Sequence, residues 1–393
     1  MNNIPKDIDK WDNNKWTQQV VNCRPSSGGA VGVIFVWAGM AYSRQNVQNP
    51  SHAAFVIKPI QGSAAPTKFA EHVLSKISGA LSPNSKPIPR RSTSGSGLVL
   101  TLKMFRDRET DPTVKARWQQ VFQHYDRADA FLIQETQTGI KEFGDEYREQ
   151  SGLALMLLNT DLMTNLGKLF AADALIGNGD RLSKLNTGNI IFKKDGTLCS
   201  IDTTTILTDF NSIVADHQLG IYFTPDGSAL NAKNWAANDI VKFGSTQAAS
   251  PMQQQQFGKQ QIVLAPSAAV ETLFNVDVWW MNEFRSHLES EIQKLAPPLP
   301  SPPETVWNHA KMCFKRGVDE GINQIDVKLS GLNWMMMKNK YKNFVSRYGG
   351  DPNLDWMNFK VRRRYIKLRK KGFSDADALK DVQNYVARKM PGL

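Results

Sequence analysis

Residues 169–205 read LFAADALIGNGDRLSKLNTGNIIFKKDGTLCSIDTTT, and this stretch decides how the rest of the chain is interpreted. It predicts an apolar helix that ends at a polar loop, residues 177–181 (GNGDR), and a second loop that ends at Asn189. Two short apolar runs follow, and the Asp-Gly pair at 195–196 between them is a strong signal for a β-hairpin. Such a hairpin brings Asp202 back towards Asn189. Carboxylate and amide oxygens that converge on one point suit Mg²⁺ and the phosphates attached to it.

The residues upstream supply the other parts that phosphoryl transfer from ATP requires. A lysine neutralises the nucleotide phosphates, a helix carboxylate orients that lysine, and Asp and Asn side chains take the acceptor proton and hold Mg²⁺. Kinase chains carry these parts in a fixed order: glycine turn, strand lysine, helix glutamate, hinge strand, catalytic Asp, Asn and metal Asp. The residues found in that order here are Gly28 and Gly29, Lys58, Glu71, then Gln134, Glu135 and Thr136, and finally Asp180, Asn189 and Asp202.

The motif at 176–181 (IGNGDR), followed by 186–192 (NTGNIIF) and 200–202 (SID), resembles the catalytic core of the atypical kinases. It is most similar to the actin-fragmin kinase group and more distantly similar to the phosphatidylinositol kinases. The resemblance implies an α+β, two-lobed protein-kinase-like fold that uses ATP and Mg²⁺. The roles it implies are catalytic Asp for Asp180, phosphate-binding lysine for Lys58, and Mg²⁺ ligands for Asn189 and Asp202.

Several features depart from the protein-kinase pattern. Asn189 lies nine positions after Asp180, whereas the pattern H-R-D-x-x-x-x-N has five, so Asn186 is a second candidate for the metal. Asp202 is followed by Thr203 and Thr204 rather than by Phe-Gly, and the glycine turn does not spell G-x-G-x-x-G. An AMPylating enzyme and a pseudokinase therefore stay open as alternatives, and a lipid headgroup is the alternative to a protein Ser or Thr hydroxyl as acceptor.

The chain is predicted to have four parts. A polar lead-in (1–27) precedes a sheet-rich N-lobe (28–135) and a helical C-lobe (136–296). A proline-rich linker then leads to a mainly helical, basic C-terminal module (304–393).

Further stretches give local predictions. Residues 83–96, rich in Pro, Ser and Gly, predict a loop, and residues 97–104 (GLVLTLKM) predict a strand. The methionine run at 335–337 is expected to pack in a core. Ser374 with Asp377 resembles a capping box and predicts the start of the last helix.

The positive charge is concentrated near the C-terminus. Residues 338–393 hold fifteen Lys or Arg and five Asp or Glu, and so account for +10 of the formal net charge of +11. Within them, Lys360 to Lys371 (KVRRRYIKLRKK) predicts a basic helix. A solvated helix face is the simplest interpretation, and contact with anionic lipid, RNA or an acidic protein is the alternative. The alternative leads to another hypothesis, a non-catalytic binding protein.

Composition bounds the compartment and the partners. No apolar run is long enough for a transmembrane segment, and the first residues lack the apolar region of a signal peptide. Cys23, Cys199 and Cys313 have neither disulfide-framework nor zinc-site spacing, which favours a reducing compartment. We expect a cytoplasmic protein, with delivery into a host-cell cytosol as a bacterial effector as a further interpretation. The expected partner is a protein substrate, of which a cytoskeletal protein is one candidate.

Overall fold

The computed structural model of the 393-residue chain contains both helices and antiparallel sheet, which confirms the predicted α+β class. The residues that it describes are 20–26, 32–38, 55–60, 64–80, 85–135, 141–142, 157–178, 189–192, 197–201, 221–223, 229–231, 263–264, 274, 276–279, 285–286, 304–349 and 352–389. Within that part of the chain, none of the helices combines the length and the apolar character needed to cross a membrane.

The elements are numbered in chain order. The strands are β1 (Val20–Pro25), β2 (Ile34–Ala38), β3 (Phe55–Ile60), β4 (Ser85–Pro89), β5 (Ala130–Glu135), β6 (Lys141–Glu142), β7 (Ile190–Phe192), β8 (Leu198–Ser200), β9 (Ile221–Phe223), β10 (Ala229–Asn231) and β11 (Val263–Leu264). The helices are α1 (Ala65–Ile77), α2 (Thr93–Arg108), α3 (Pro112–Tyr125), α4 (Thr160–Ile176), α5 (Val276–Trp279), α6 (Glu304–Lys328), α7 (Gly331–Tyr348), α8 (Pro352–Lys370) and α9 (Asp375–Lys389).

The first compact unit, residues 1–68, 83–140 and 343–350, is built on a five-stranded sheet. The strand order is β1-β2-β3-β5-β4, and every neighbouring pair is antiparallel. Helices α2 and α3 contribute to the main core of this unit. The buried residues of that core include Leu98 and Leu102 of α2, Trp118 and Phe122 of α3, and Phe55 and Ile57 of β3.

Residues 97–104 were predicted as a strand, and that prediction is wrong because they lie inside α2. The hydroxyl oxygen of Ser92 accepts a hydrogen bond from the Gly95 amide at 3.0 Å, so the helix begins with a side-chain cap. Leu98, Thr101 and Leu102 then fall at helical spacing and are buried. The apolar residues of GLVLTLKM fit an alternating pattern as well, and the cap upstream decides between the two.

Residues 83–96 were predicted as a loop, and this is also wrong in part because β4 lies within them. β4 forms the edge of the sheet and pairs with β5 alone among the described strands, with Pro87 opposite Leu132. A proline is tolerated at an edge because its missing N–H removes no bond from the interior of the sheet. The prolines that suggested a loop therefore mark an edge strand.

Tyr125 fixes α3 to the strand that carries Lys58. Its buried hydroxyl donates to the Ile57 carbonyl oxygen at 2.8 Å, and burial raises the pKa of that hydroxyl well above its usual value. We predict that Tyr125→Phe lowers the free energy of unfolding by about 1–3 kcal/mol, the usual effect of leaving a buried polar group unsatisfied. Urea unfolding followed by tryptophan fluorescence measures the change, and an unchanged midpoint would contradict the prediction.

The second compact unit, residues 69–82, 141–342 and 351–393, is mainly helical. Helix α4 is buried along most of its length and packs against α6. The two backbones approach closely at Gly167 and Gly317, where a Cβ atom on either glycine would collide with a carbonyl oxygen of the other helix. Two small antiparallel sheets, β6-β7-β8 and β10-β9-β11, belong to the same unit.

The predicted cap of the last helix is confirmed. The Asp377 amide donates to the Ser374 hydroxyl at 3.1 Å, and that hydroxyl donates to the Asp377 carboxylate at 2.6 Å.

The methionine run was predicted to pack in a core, and this prediction is correct for Met337 alone. Met335 and Met336 are 57% and 60% exposed, because they lie on the outer side of α7, whereas Met337 shares the buried side with Tyr341.

Candidate functional site

Lys58 lies on β3, opposite Leu132 of β5, and only 9% of its surface is exposed. Its strand neighbours Phe55 and Ile57 belong to the main core of the sheet, whereas Ile60 and Leu132 belong to a second, smaller apolar cluster. Alternation along the strand places Lys58 on the side of the smaller cluster. Lysines are rarely buried this deeply, so the interpretation of Lys58 as a solvated residue at the end of a strand is disfavoured.

The predicted hinge strand is β5. Gln134 is 4% exposed and lies between Val56 of β3 and Ser85 of β4. Glu135 ends the strand opposite Phe55. Gln134 is on the same face of the sheet as Lys58, because the residues directly opposite each other in an antiparallel pair share a face. Thr136, predicted with them, lies outside the described residues.

Glu71 lies on α1 and is 8% exposed. Helix α1 is shared between the two units: Lys68 belongs to the first and Glu71 to the second. Lys68 has a structural role, because its ammonium group donates to the backbone and hydroxyl oxygens of Ser85 at 2.9 and 3.0 Å. The pairing of Lys58 with Glu71 stays a prediction.

The predicted hairpin is confirmed by β7 and β8, which pair antiparallel with Ile190 opposite Ser200. One position further out, the Ile201 amide donates to the Asn189 carbonyl oxygen at 3.0 Å. Asp202 follows Ile201 directly in the chain. This hydrogen bond joins Asn189 to Ile201 at one end of the hairpin. The Cα atom of Asp202 is one peptide unit, about 3.8 Å, from that of Ile201.

Several predicted site residues lie outside the part of the chain that the structure describes: Gly28, Gly29, Asp180, Asn186 and Asp202. Their roles stay predictions. Among the described residues, no three His, Cys, Asp or Glu side chains come together in a way that would hold a metal ion.

The start of the GNGDR loop is held by a helix C-cap. Gly177 adopts a left-handed conformation with φ of 72°, which favours glycine. The Asn178 amide donates to the Asp173 carbonyl oxygen at 2.9 Å, and the Asn178 side chain donates to the Asp173 carboxylate at 3.1 Å. Asp173 and Asn178 are both buried. This is a Schellman cap with an added side-chain bond, and it fixes the direction in which the chain leaves α4 towards Asp180.

Arg362 of α8 lies against this cap and is not among the residues predicted for the site. A Cβ atom built on Gly177 would be 2.6 Å from the Arg362 Cζ and Nη2 atoms, so the guanidinium packs directly on the loop backbone. Arg362 is 2% exposed. The sequence does carry a signal, because Arg362 stands three residues after Phe359 and four before Ile366, which is the spacing of the buried face.

Several other cations of α8 have intramolecular contacts. Arg364 forms a two-bond ion pair with Asp381, Arg363 lies 4.5 Å from the centre of the Trp334 ring, and Lys370 pairs with Asp326 at 3.0 Å. Lys367 and Lys371 are exposed. The contact with lipid or RNA that the composition suggested stays a prediction, and much of the charge counted for it already holds α8 in place.

Helix α8 also contacts the helix that carries Glu71. The rings of Phe359 and Phe69 meet edge to face with centroids 5.0 Å apart, and Phe69 precedes Glu71 by two residues. Tyr341 of α7 packs on the same Phe69 ring, also at 5.0 Å. One face of α8 therefore supports two candidate-site elements, α1 through Phe359 and the GNGDR loop through Arg362.

Comparison with models of protein families gives no match to the chain, and comparison with characterised proteins gives none either.

Proposed function

We propose that the chain is an ATP- and Mg²⁺-dependent kinase of two-lobed, protein-kinase-like architecture. It transfers the γ-phosphate of ATP to a Ser or Thr hydroxyl of a protein. The observation that carries the proposal is the hairpin, in which the Asn189 carbonyl is bonded to the Ile201 amide immediately before Asp202. An amide and a carboxylate side chain at one end of a hairpin fit Mg²⁺ by donor chemistry, because Mg²⁺ prefers oxygen ligands.

The order of elements around the five-stranded sheet also supports the proposal. Protein kinases place the phosphate-binding lysine on the third strand and its glutamate partner on the helix that follows. Here Lys58 lies on β3, and Glu71 lies on α1, the next helix. In this proposal the adenine-side hinge is assigned to Gln134 and Glu135, which end β5. Local elements thus occur in the order that the chemistry needs.

Each residue of the site has one task in the proposed reaction. Asn189 and Asp202 would hold Mg²⁺, and the ion would supply positive charge that neutralises the nucleotide phosphates. Lys58 adds a further positive charge to those phosphates. Asp180 orients the acceptor hydroxyl and takes its proton as the hydroxyl oxygen bonds to the γ-phosphorus, and the bond between that phosphorus and ADP breaks.

Two lysines of the first unit allow a matched test. We predict that Lys58→Met lowers transfer of γ-phosphate about 10²- to 10³-fold, the usual effect of removing one group that stabilises transition-state charge. Lys68 lies on α1, and its ammonium group is bonded to Ser85. Lys68→Met is expected to leave transfer nearly unchanged. The measurement uses the full chain with Mg²⁺, protein extract as acceptor and ATP labelled at either the γ- or the α-phosphate.

The position of the label separates the alternatives. Incorporation from γ-labelled ATP that Lys58→Met abolishes supports a kinase. Incorporation from α-labelled ATP assigns AMPylation instead, and label recovered in lipid rather than in protein assigns a headgroup as acceptor. Equal losses in the two lysine variants, or no incorporation from either label, would refute the proposed function.

A further inference from the structure

Among the described residues of the second unit, Arg362 is a buried charge to which the fold gives no hydrogen-bond partner. Its Nε, Nη1 and Nη2 atoms are all buried, and none has a hydrogen-bond partner within the part of the chain that the structure describes. Burial lowers the pKa of the guanidinium to about 10, so the group is still charged at neutral pH. A buried cation whose donors are unsatisfied is strongly unfavourable, because the group gives up its hydration and receives nothing in return.

The neighbouring arginines show what a structural arginine looks like in this helix. Arg364 donates two bonds to the Asp381 carboxylate, and Arg363 lies over the Trp334 ring, although its Nε atom has no hydrogen-bond partner within the described residues. Both arrangements are common ways to satisfy a guanidinium that stabilises a fold. Arg362 has neither, although it is more deeply buried than both. Packing alone therefore gives no reason for an arginine at this position, where an apolar side chain of similar length would be favoured.

The position of the guanidinium gives the reason. It packs on Gly177, the first residue of the GNGDR loop, and Gly177 leaves room for it by having no Cβ. Asp180 follows Gly177 by three residues, and three residues of extended chain reach at most about 11 Å. The unsatisfied donors thus lie at the root of the loop that carries the candidate catalytic Asp.

A planar group with five N–H donors selects oxyanions and binds phosphate through paired hydrogen bonds. We propose that Arg362 binds a phosphate oxyanion at the root of the GNGDR loop, and that this phosphate belongs to the bound nucleotide, an assignment that rests on the proposed kinase function. The C-terminal helix α8 then forms part of the nucleotide site. Phe359, one turn before Arg362, packs on Phe69 of α1, so the same helix joins the phosphate site to the helix of Glu71.

In this role the unsatisfied donors of Arg362 destabilise the unliganded protein. Replacing an unpaired buried cation by an apolar side chain of similar volume is often stabilising. We therefore expect Arg362→Met to raise the Tm of the unliganded protein by roughly 2–4 °C. The same change is expected to weaken binding of phosphate at least about tenfold, because it removes hydrogen bonds to a charged group. A purely structural arginine would give the opposite sign for the first measurement and no effect on the second.

The test follows thermal unfolding of the full-length chain at physiological salt with no ligand, with inorganic tripolyphosphate, with ATP and with adenosine. Wild type is compared with Arg362→Met and with Arg362→Lys, which keeps a charge but not the paired geometry. Arg364→Met is the matched control, since it removes a cation from the same helix that already has a partner. It is expected to lower the unliganded Tm and to keep the full shift on addition of tripolyphosphate.

The proposal is supported if tripolyphosphate and ATP raise the Tm of wild type, if Arg362→Met loses that rise, and if Arg362→Lys keeps only part of it. A shift produced by adenosine, which has no phosphate, should be equal in wild type and Arg362→Met. A tripolyphosphate shift that survives in Arg362→Met overturns the proposal, and so does the absence of a shift in wild type.

The outcomes also separate this inference from the proposed kinase activity. A phosphate-induced shift that depends on Arg362, in a protein that transfers no label from ATP, leaves the phosphate site standing and removes the kinase. Transfer of γ-phosphate that Arg362→Met leaves unchanged, with an unchanged KM for ATP, leaves the kinase standing and removes Arg362 from its site.

Discussion

Gly317→Ala is expected to lower the free energy of unfolding of the second unit by at least about 2 kcal/mol. The added Cβ would collide with the Thr164 carbonyl oxygen of α4, and Gly167 makes the reciprocal approach to the Phe314 carbonyl oxygen of α6. Alanine is a better helix former than glycine by roughly 1 kcal/mol, which works in the opposite direction. The collision outweighs this gain because backbone lies on both sides of the contact and only separation of α4 from α6 relieves it.

Separating α4 from α6 would also cost the contacts beside the glycines. Arg316 donates to the Thr164 hydroxyl at 2.8 Å, and Lys168 pairs with Glu320 at 2.7 Å. The Lys168–Glu320 ion pair is partly exposed and is worth little by itself. The apolar packing that these contacts flank, such as the edge-to-face pair of Phe170 and Phe314 at 5.2 Å, accounts for most of the loss.

Gly97→Ala is the control for this prediction. Gly97 also lies inside a helix, α2, but a Cβ there would meet nothing within 4 Å. The propensity term then acts alone, and a gain of roughly 0.5–1 kcal/mol is expected. Urea unfolding of wild type and the two variants measures both changes. A Gly317→Ala protein as stable as Gly97→Ala would show that α4 and α6 do not approach as closely as described.

Local signals in the sequence predict much of the fold correctly. The Asp-Gly turn gave the β7–β8 hairpin, and the Ser374–Asp377 capping box gave the start of α9, because each feature is decided by residues within a few positions of it. The failures came where the apolar pattern fits both helix and strand, or where the decision depends on distant residues. The segment GLVLTLKM fits an alternating pattern, and its helix is explained by a cap and by the core that it faces.

For the candidate site too, some residues could be predicted from nearby sequence and others depend on contacts between distant parts of the chain. Strand, helix and hairpin contexts for Lys58, Glu71 and Asn189 followed from the order of motifs along the chain. Arg362 could not be found by that reasoning, because it is separated from Gly177 by 185 positions and stands in a run of cations that composition assigns to a solvated face. Only packing of α8 against the end of α4 brings the two together.

Asp202→Ala is expected to reduce γ-phosphate transfer at least about a hundredfold at any Mg²⁺ concentration, since a metal ion supplies several kcal/mol of transition-state stabilisation in such reactions. Asn189→Ala is expected to act differently. It leaves the carboxylate of Asp202 and should raise the Mg²⁺ concentration for half-maximal transfer at least about tenfold, with much of the activity restored at high Mg²⁺. Transfer as a function of Mg²⁺ concentration separates the two effects.

Asn186→Ala tests which asparagine holds the proposed Mg²⁺. Asn189 is joined to the hairpin through the hydrogen bond from Ile201, the residue before Asp202, whereas Asn186 precedes the hairpin by several positions. The hydrogen bond fixes the position of Asn189 relative to the residue before Asp202, and an error of about 1 Å in a catalytic group can cost two orders of magnitude in rate. The Mg²⁺ dependence should therefore be nearly unchanged in Asn186→Ala. If Asn186→Ala shifts it and Asn189→Ala does not, the metal is held from the loop, and the hairpin only carries Asp202.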